Sequence, residues 1–311
     1  MTNFRRGIRN PAFLDALGEL AAKDGWWREV VRDPSLIIGI RDEYLNVYWQ
    51  GQSLFKVGFV RGEVKATTHP KYLLNPDLSG QVAFDIEAGA FAPLKEGAIL
   101  RIWEPGVTLS RMKSAASLFS GDEKIGVQKI ANNHPDTIDV EIAFPAGVAA
   151  AASNSSGRSV PRLDLALVEK KASECRLVFW EAKLFANPEL RDKKTVVQQI
   201  EDYRKILSDA RNRSAIVESY QIIAENLLEI TSSSEGARII GPVLTEVAQG
   251  APLILPEVPE INLVVFDYDA AQRDTVWRHL KKDLEGRLEP SRVIGCGASK
   301  DIHLSDKAQK V

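Results

Sequence analysis

Cysteine is nearly absent: Cys175 and Cys296 are the only two in 311 residues, far apart and in no CxxC pair. That scarcity excludes a disulfide scaffold and a cysteine-based zinc site, and it suits a reducing cytoplasm. In that compartment the Asn-x-Ser triplets at Asn154 and Asn212 carry no glycan. The four histidines, His69, His134, His279 and His303, show no metal-ligand spacing. No run of about 18 apolar residues occurs, which excludes a membrane-spanning helix. Asn10, Pro11 and Asp15 interrupt the amino terminus before an apolar run forms, unlike a signal peptide. Neither a GxxxxGK[ST] loop nor a GxGxxG turn is found, so no nucleotide-driven motor is implied. A charge excess is missing too. With 40 Lys plus Arg against 42 Asp plus Glu, the formal net charge is -2, and a polyanion would have to be met by local positive charge.

What is present describes a folded chain of one large or two medium domains, with 44% hydrophobic residues to fill a core. Residues 11–33 predict a helix, from Pro11 and the spacing of Phe13, Leu14, Leu17, Leu20 and Ala21 to the stop at Asp33-Pro34. Period-two alternation then runs through Leu36, Ile38, Ile40; Leu45, Val47, Trp49; and Phe55, Val57, Phe59, with a hairpin turn at Gly51-Gln52. An antiparallel β-rich unit over 1–105 is expected, with a boundary at Pro105-Gly106. A helix over 107–131 follows, then strands around Ile138–Ile142, Leu163–Leu167 and Leu177–Trp180. An Ala/Ser/Asn/Gly-rich loop occupies 146–159. Helices are predicted at 193–209 and 213–230, a strand at 262–266, a helix at 270–284 and a strand at 292–294. The order predicts an α/β core over 106–300, a mixed central sheet flanked by helices, with a tail at 301–311; the whole chain is α+β.

Chemistry concentrates on two of these strands. Period-two geometry separates Leu163, Leu165 and Leu167 from Arg162, Asp164 and Ala166, and it aligns Leu177, Phe179, Glu181 and Lys183 on one face. If the two strands pair as a hairpin through the polar link 169–174, Asp164 and Glu181 become neighbours across the ladder. Two carboxylates at that range repel, and a hard divalent cation is the natural remedy. With Lys183 beside them, the cation can polarise a phosphodiester and activate water, while the ammonium orients that water or stabilises developing charge.

Pro161-Arg162-Leu163-Asp164 and Phe179-Trp180-Glu181-Ala182-Lys183, followed by a helix containing Gln199 and Tyr203, resemble the PD-(D/E)XK nuclease superfamily, the restriction-endonuclease-like fold. Pro161 lies three residues before Asp164 instead of adjacent to it, a departure from the signature. The resemblance covers about 110–297 and leaves 1–105 unassigned. It implies that Asp164, Glu181 and the backbone carbonyl of Ala182 bind Mg2+ or Mn2+ and that Lys183 acts on the water. A further metal-binding Glu is often present in the family; Glu123 is the candidate here and Glu141 the second choice. Val196, Gln199, Ile200, Tyr203 and Leu207 share one helix face, so Gln199 points toward the site. The implied activity is metal-dependent phosphodiester hydrolysis, DNA before RNA, in the cytoplasm, with a homodimer or partner protein allowed. The alternative is a catalytically silent nucleic-acid-binding or scaffold protein of the same fold.

Several other features have a chemical and a purely structural reading. Lys183, Arg191, Lys193, Lys194, Arg204, Lys205, Arg211 and Arg213 outnumber five nearby acids; the cluster, with Gln199 and Tyr203, can contact nucleic acid or form an ordinary charged surface. In the first unit Arg41, Lys56, Arg61, Lys65 and Lys71 accompany Tyr44, Tyr48 and Trp49, a surface able to position nucleic acid or simply to pack. Asp267-Tyr268-Asp269 after an apolar strand matches a phosphatase DxD motif, but only about 40 residues remain to complete such a fold. Capping of the following helix by Asp267 and Asp269 is the reading preferred here.

Overall fold

The computed structural model describes residues 4–74, 80–92, 100–145, 148, 162–297 and 304. The chain is mixed α+β with two sheets, and it divides into two compact units, one of residues 6–121 and 221–240, the other of 1–5, 122–220 and 241–311.

In the first unit the predicted helix 11–33 is two helices, α1 (Pro11–Ala22) and α2 (Trp26–Arg32). The Asn10 side chain caps α1 by accepting from the Ala12 amide. Lys23 turns extended, and the chain re-enters a helix that buries Trp26 and Trp27. Trp26 meets Phe55 at 5.3 Å and Phe84 at 5.6 Å between ring centroids, so aromatic packing overrides the continuous apolar periodicity. Six strands form an antiparallel meander: β1 (Ile37–Ile40), β2 (Tyr44–Trp49), β3 (Gln52–Val60), β4 (Glu63–Thr68), β5 (Val82–Asp85) and β6 (Ala90–Ala92). The first tight turn is Gln50-Gly51, one residue earlier than the predicted pair, and both its residues have positive φ, 47° and 75°. This is the turn whose twist suits a two-residue hairpin.

The expected helix 107–131 is likewise interrupted. Helix α3 (Thr108–Ser117) packs on β3 and on the 3-10 turn Pro70–Leu73, whereas α4 (Asp122–Asn133) packs on the second sheet. The contacts therefore divide the chain at Gly121 rather than 105, and they place residues 221–240 with the first unit.

The second unit is built on β7 (Thr137–Ile142), β8 (Leu163–Lys171), β9 (Glu174–Leu184), β10 (Leu253–Ile254), β11 (Ile261–Phe266) and β12 (Val293–Cys296). Their order is β12-β11-β9-β8-β7, with β10 also on β9. Strands β7, β8 and β9 are antiparallel; β9, β11 and β12 are parallel. The helices are α5 (Pro188–Arg191), α6 (Lys193–Ser208), α7 (Ala210–Ser232), α8 (Pro242–Ala248), α9 (Ala270–Gln272) and α10 (Arg278–Leu288). A π turn, Arg273–Trp277, joins the last two. Residues of α7 up to Tyr220 belong to this unit. The predicted loop at 146–159 lies outside the described residues, apart from Val148. Among the described residues no helix is long and apolar enough to cross a membrane.

Every residue of β7 and β11 is buried, so the sheet interior is covered on both faces. Helix α4 lies very close to the sheet. A Cβ on Gly126 would come within 2.2 Å of the Phe266 ring, so only glycine permits this approach. Because Glu123 and Lys124 sit one turn earlier on the same helix, the contact determines where their side chains reach.

Candidate active site

Register gathers the acids. Strands β8 and β9 pair through Leu165↔Trp180, and one step further the register sets Asp164 opposite Glu181. On the other side, Val140↔Leu165 and Ile142↔Leu163 bracket Glu141 opposite Asp164. Glu141, Asp164 and Glu181 therefore form a row across three adjacent strands, and their exposures are only 8%, 3% and 1%. Residues directly opposite in an antiparallel ladder share a face. The predicted hairpin neighbours are adjacent, joined by a turn at Ala172-Ser173.

Cations and amides separate these carboxylates. Asp164 Oδ2 accepts from the Ala182 amide at 3.0 Å, so the ladder ends on a side chain. Asp164 Oδ1 accepts from Lys124 Nζ at 2.9 Å. The same ammonium lies 2.7 Å from Glu141 Oε1, an ion pair without the alignment of a good hydrogen bond. Glu181 Oε1 accepts from Gln199 Nε2 at 2.8 Å and faces Lys183 Nζ at 3.0 Å. Lys183 also contacts Glu189 Oε2 at 2.8 Å. Glu181 Oε2 is buried and has no hydrogen-bond partner among the described residues.

The electrostatics follow from burial. Desolvation pushes the Glu181 carboxyl well above the ordinary carboxylate range, the Asp164 charge pushes it further, and Lys183 and Lys124 only partly oppose this. Burial alone would lower both lysines. Glu181, Glu189 and Glu123 outweigh it for Lys183, and Asp164 and Glu141 outweigh it for Lys124, so each ammonium is held more firmly than in water. For Glu181 the stability linked to its extra proton affinity is complete below the ordinary carboxylate range and is lost as pH rises through its raised native value. Glu181→Gln, measured in chelator, is therefore expected to raise the Tm at about pH 8 by roughly 2–4 °C, with the gain shrinking toward about pH 5. A melting difference that does not change with pH would refute this account of the carboxyl.

The remaining sequence candidates separate. Gln199 reaches Glu181, and it also donates to the Tyr203 hydroxyl at 3.1 Å. Tyr203 is fully buried, so the expectation that it touches nucleic acid is corrected: it positions Gln199 from below. Glu123 lies beside the site, its carboxylate taken by the Asn187 amide group at 2.8 Å and the Leu184 amide at 3.3 Å. The acid that borders Asp164 is instead Glu141. The side chains of Lys193 and Lys194 lie outside the described residues. Other members of the basic cluster are engaged locally: Arg204 with Ser291, Lys205 with Asp202, Arg211 with Asp209. In the first unit, Lys56 lies over the Tyr44 ring at 4.4 Å and Arg41 donates to the Tyr48 hydroxyl at 3.2 Å. Asp269 caps α9 in a reciprocal capping box with Gln272, while Asp267, expected to cap it too, does not. Lys124, Glu189 and Asn187 were not singled out from the sequence, since nothing in spacing marks them.

Among the described residues, no group of three or more His, Cys, Asp or Glu side chains is arranged to hold a metal ion. The oxygens available to a cation are those of the Asp164–Glu181 pair, with the Ala182 carbonyl implied by the resemblance. Their fit to a hard divalent ion rests on Glu181 Oε2, an acceptor buried without a donor beside a second carboxylate. The chain matches no family model, and no curated protein or solved structure matches it.

Proposed function

We propose that this protein is a metal-dependent nuclease that hydrolyses nucleic-acid phosphodiester bonds, DNA more readily than RNA, through a centre of the PD-(D/E)XK, restriction-endonuclease-like type. One observation carries the reading: the buried Asp164–Glu181 pair, with a carboxylate oxygen that has no donor among the described residues and Lys183 on the same strand face. So placed, the pair is costly unless positive charge offsets it; Lys124 and Lys183 do so in part, and a divalent cation would do so more fully. Asp164, Glu181 and the Ala182 carbonyl would hold Mg2+ or Mn2+. When bound, the ion supplies neutralisation of phosphate charge and water of lowered proton affinity.

The chain's own groups do the rest. Lys183, a charge kept by Glu181 and Glu189, stabilises negative charge as it grows on the phosphoryl oxygens and orients the attacking water. Gln199 fixes the carboxylate through Oε1 and leaves Oε2 open. Burial excludes bulk water and strengthens each of these interactions. Because β9 and β11 are parallel, the chain leaving β11 starts from the sheet edge that carries Lys183. It leads into a groove lined by Arg273, Arg278, Lys281 and Lys282 around Trp277, with Asp274 paired to Arg273 and Glu285 to Lys281, so the surface keeps a net positive charge that would favour a phosphate backbone.

The test is cleavage of supercoiled plasmid, linear duplex, single-stranded DNA and RNA with Mg2+, Mn2+ or chelator. Cutting that needs the metal and favours DNA is the expected result. Absence of cutting on every substrate with either metal would move the assignment to a binding or scaffold role.

A further inference from the structure

We propose that Lys124 is a built-in cation that occupies Asp164 in the free protein and steps onto Glu141 when a divalent metal enters. The inference rests on the reading of Asp164 and Glu181 as the metal ligands. Of the oxygens these two residues offer, Asp164 Oδ2 is held by the Ala182 amide and Glu181 Oε1 by Gln199 and Lys183. Glu181 Oε2 meets no donor among the described residues, and Asp164 Oδ1 is held by Lys124 at 2.9 Å. An ion that binds Asp164 through Oδ1 therefore meets an ammonium there and must displace it. The Ala182 amide is main chain inside a ladder and cannot leave; a lysine on a four-carbon stem can.

A departing ammonium needs a counter-charge, and one is already in contact. Glu141 Oε1 lies 2.7 Å from Lys124 Nζ and stands one strand further from Glu181 than Asp164 does. The other Glu141 oxygen lies 3.8 Å from Arg162 Nη1. The Glu141 backbone is held at φ 53°, a left-handed conformation that non-glycine residues seldom adopt and that the surrounding structure must maintain. Lys124 itself is carried by α4, whose depth against the sheet is set at Gly126. The side chain is a third exposed, so it has room to shift.

The arrangement balances three buried carboxylates without metal and makes metal binding a displacement. Electrostatic repulsion between the ammonium and the incoming ion lowers the affinity below what the carboxylates alone would give. Removing the ammonium's charge should tighten binding, and removing its second partner should weaken it.

Calorimetric titration of the full chain with Mn2+, without nucleic acid, tests this on wild type, Lys124→Gln, Glu141→Gln and the double variant. Lys124→Gln keeps a hydrogen-bond donor without the charge, and is expected to bind Mn2+ about tenfold or more tightly than wild type. Glu141→Gln is expected to bind more weakly, and the double variant as tightly as Lys124→Gln, because Glu141 acts only through the ammonium. A folded Lys124→Gln with unchanged or weaker affinity overturns the displacement. So does a double variant as weak as Glu141→Gln, which would make Glu141 itself a ligand. If Lys124→Gln does not fold, Glu141→Gln decides: unchanged or tighter binding overturns the proposal. Absence of Mn2+ binding in every protein, wild type included, overturns the metal reading of the centre and this inference together.

Discussion

Lys183→Ala is expected to slow metal-dependent cleavage about a thousandfold, the range seen when a positioned charge or proton-transfer group is removed from a reaction centre. Metal affinity should hold or rise. The ammonium lies 3.0 Å from Glu181 Oε1, so its loss leaves that carboxylate more negative toward an ion. The two effects separate a group that acts on the substrate from one that only builds the site, because loss of a ligand would lower both. Cleavage initial rates at saturating Mn2+, paired with a Mn2+ binding isotherm, make the comparison. Cutting within about tenfold of wild type would remove Lys183 from the reaction. A rate loss that disappears at high metal would recast it as a residue that tunes binding.

Gly126→Val is expected to be strongly disruptive at the helix that carries Glu123 and Lys124. The first added carbon already meets the Phe266 ring at 2.2 Å, and two more follow it. Overpacking of this kind costs about 1–3 kcal/mol for one extra group and more for several. A Tm fall of roughly 6 °C or more is expected, with Gly126→Ala between the variant and wild type. Function should fall with it, since α4 must retreat and take Glu123 and Lys124 along; misplacement by about 1 Å is worth around a hundredfold in rate. Gly121 is the control, because an added Cβ there meets nothing within 4 Å. Thermal melts of the three variants decide it: a Gly126→Val protein that melts within about 1 °C of wild type would show that the helix is free to shift.

Sequence periodicity specifies the β8–β9 hairpin and little beyond it. Asp164, Glu181 and Lys183 were legible because alternation along two strands fixes which side chains share a face, and a short polar link makes pairing the simplest connection. Glu141 could not be ranked above Glu123 in that way. Its place beside Asp164 depends on the register of β7, which shifts between Thr137 and Asp139, an irregularity that alternating Ile138, Val140 and Ile142 conceal. Lys124 depends on something less visible still: the depth of a helix set by one glycine against one phenylalanine on a strand far along the chain. The two missed helix breaks have a shared cause. Asp24-Gly25 and Ser120-Gly121 are breaker signals that the apolar residues on either side outweigh in a periodicity reading, and tertiary packing, of Trp26 against Phe55 in one case and of α3 and α4 on different sheets in the other, shows that each helix stops.

Anchoring of Asp164 Oδ2 by a main-chain amide bears on ion size. A carboxylate whose one oxygen is anchored by a main-chain amide is less free to turn both oxygens onto one cation. Glu181 is constrained likewise, with Oε1 occupied by two donors and only Oε2 open. Calcium seeks about six to eight oxygens, often with both arms of a carboxylate, at about 2.3–2.6 Å. Magnesium is content with about six at about 2.0–2.1 Å and keeps much of its hydration shell. If the proposed centre offers one arm from each acid, the larger ion is left under-coordinated while the smaller one can retain its waters, and the hydrogen bond that ends the β8–β9 ladder would then act as a size filter.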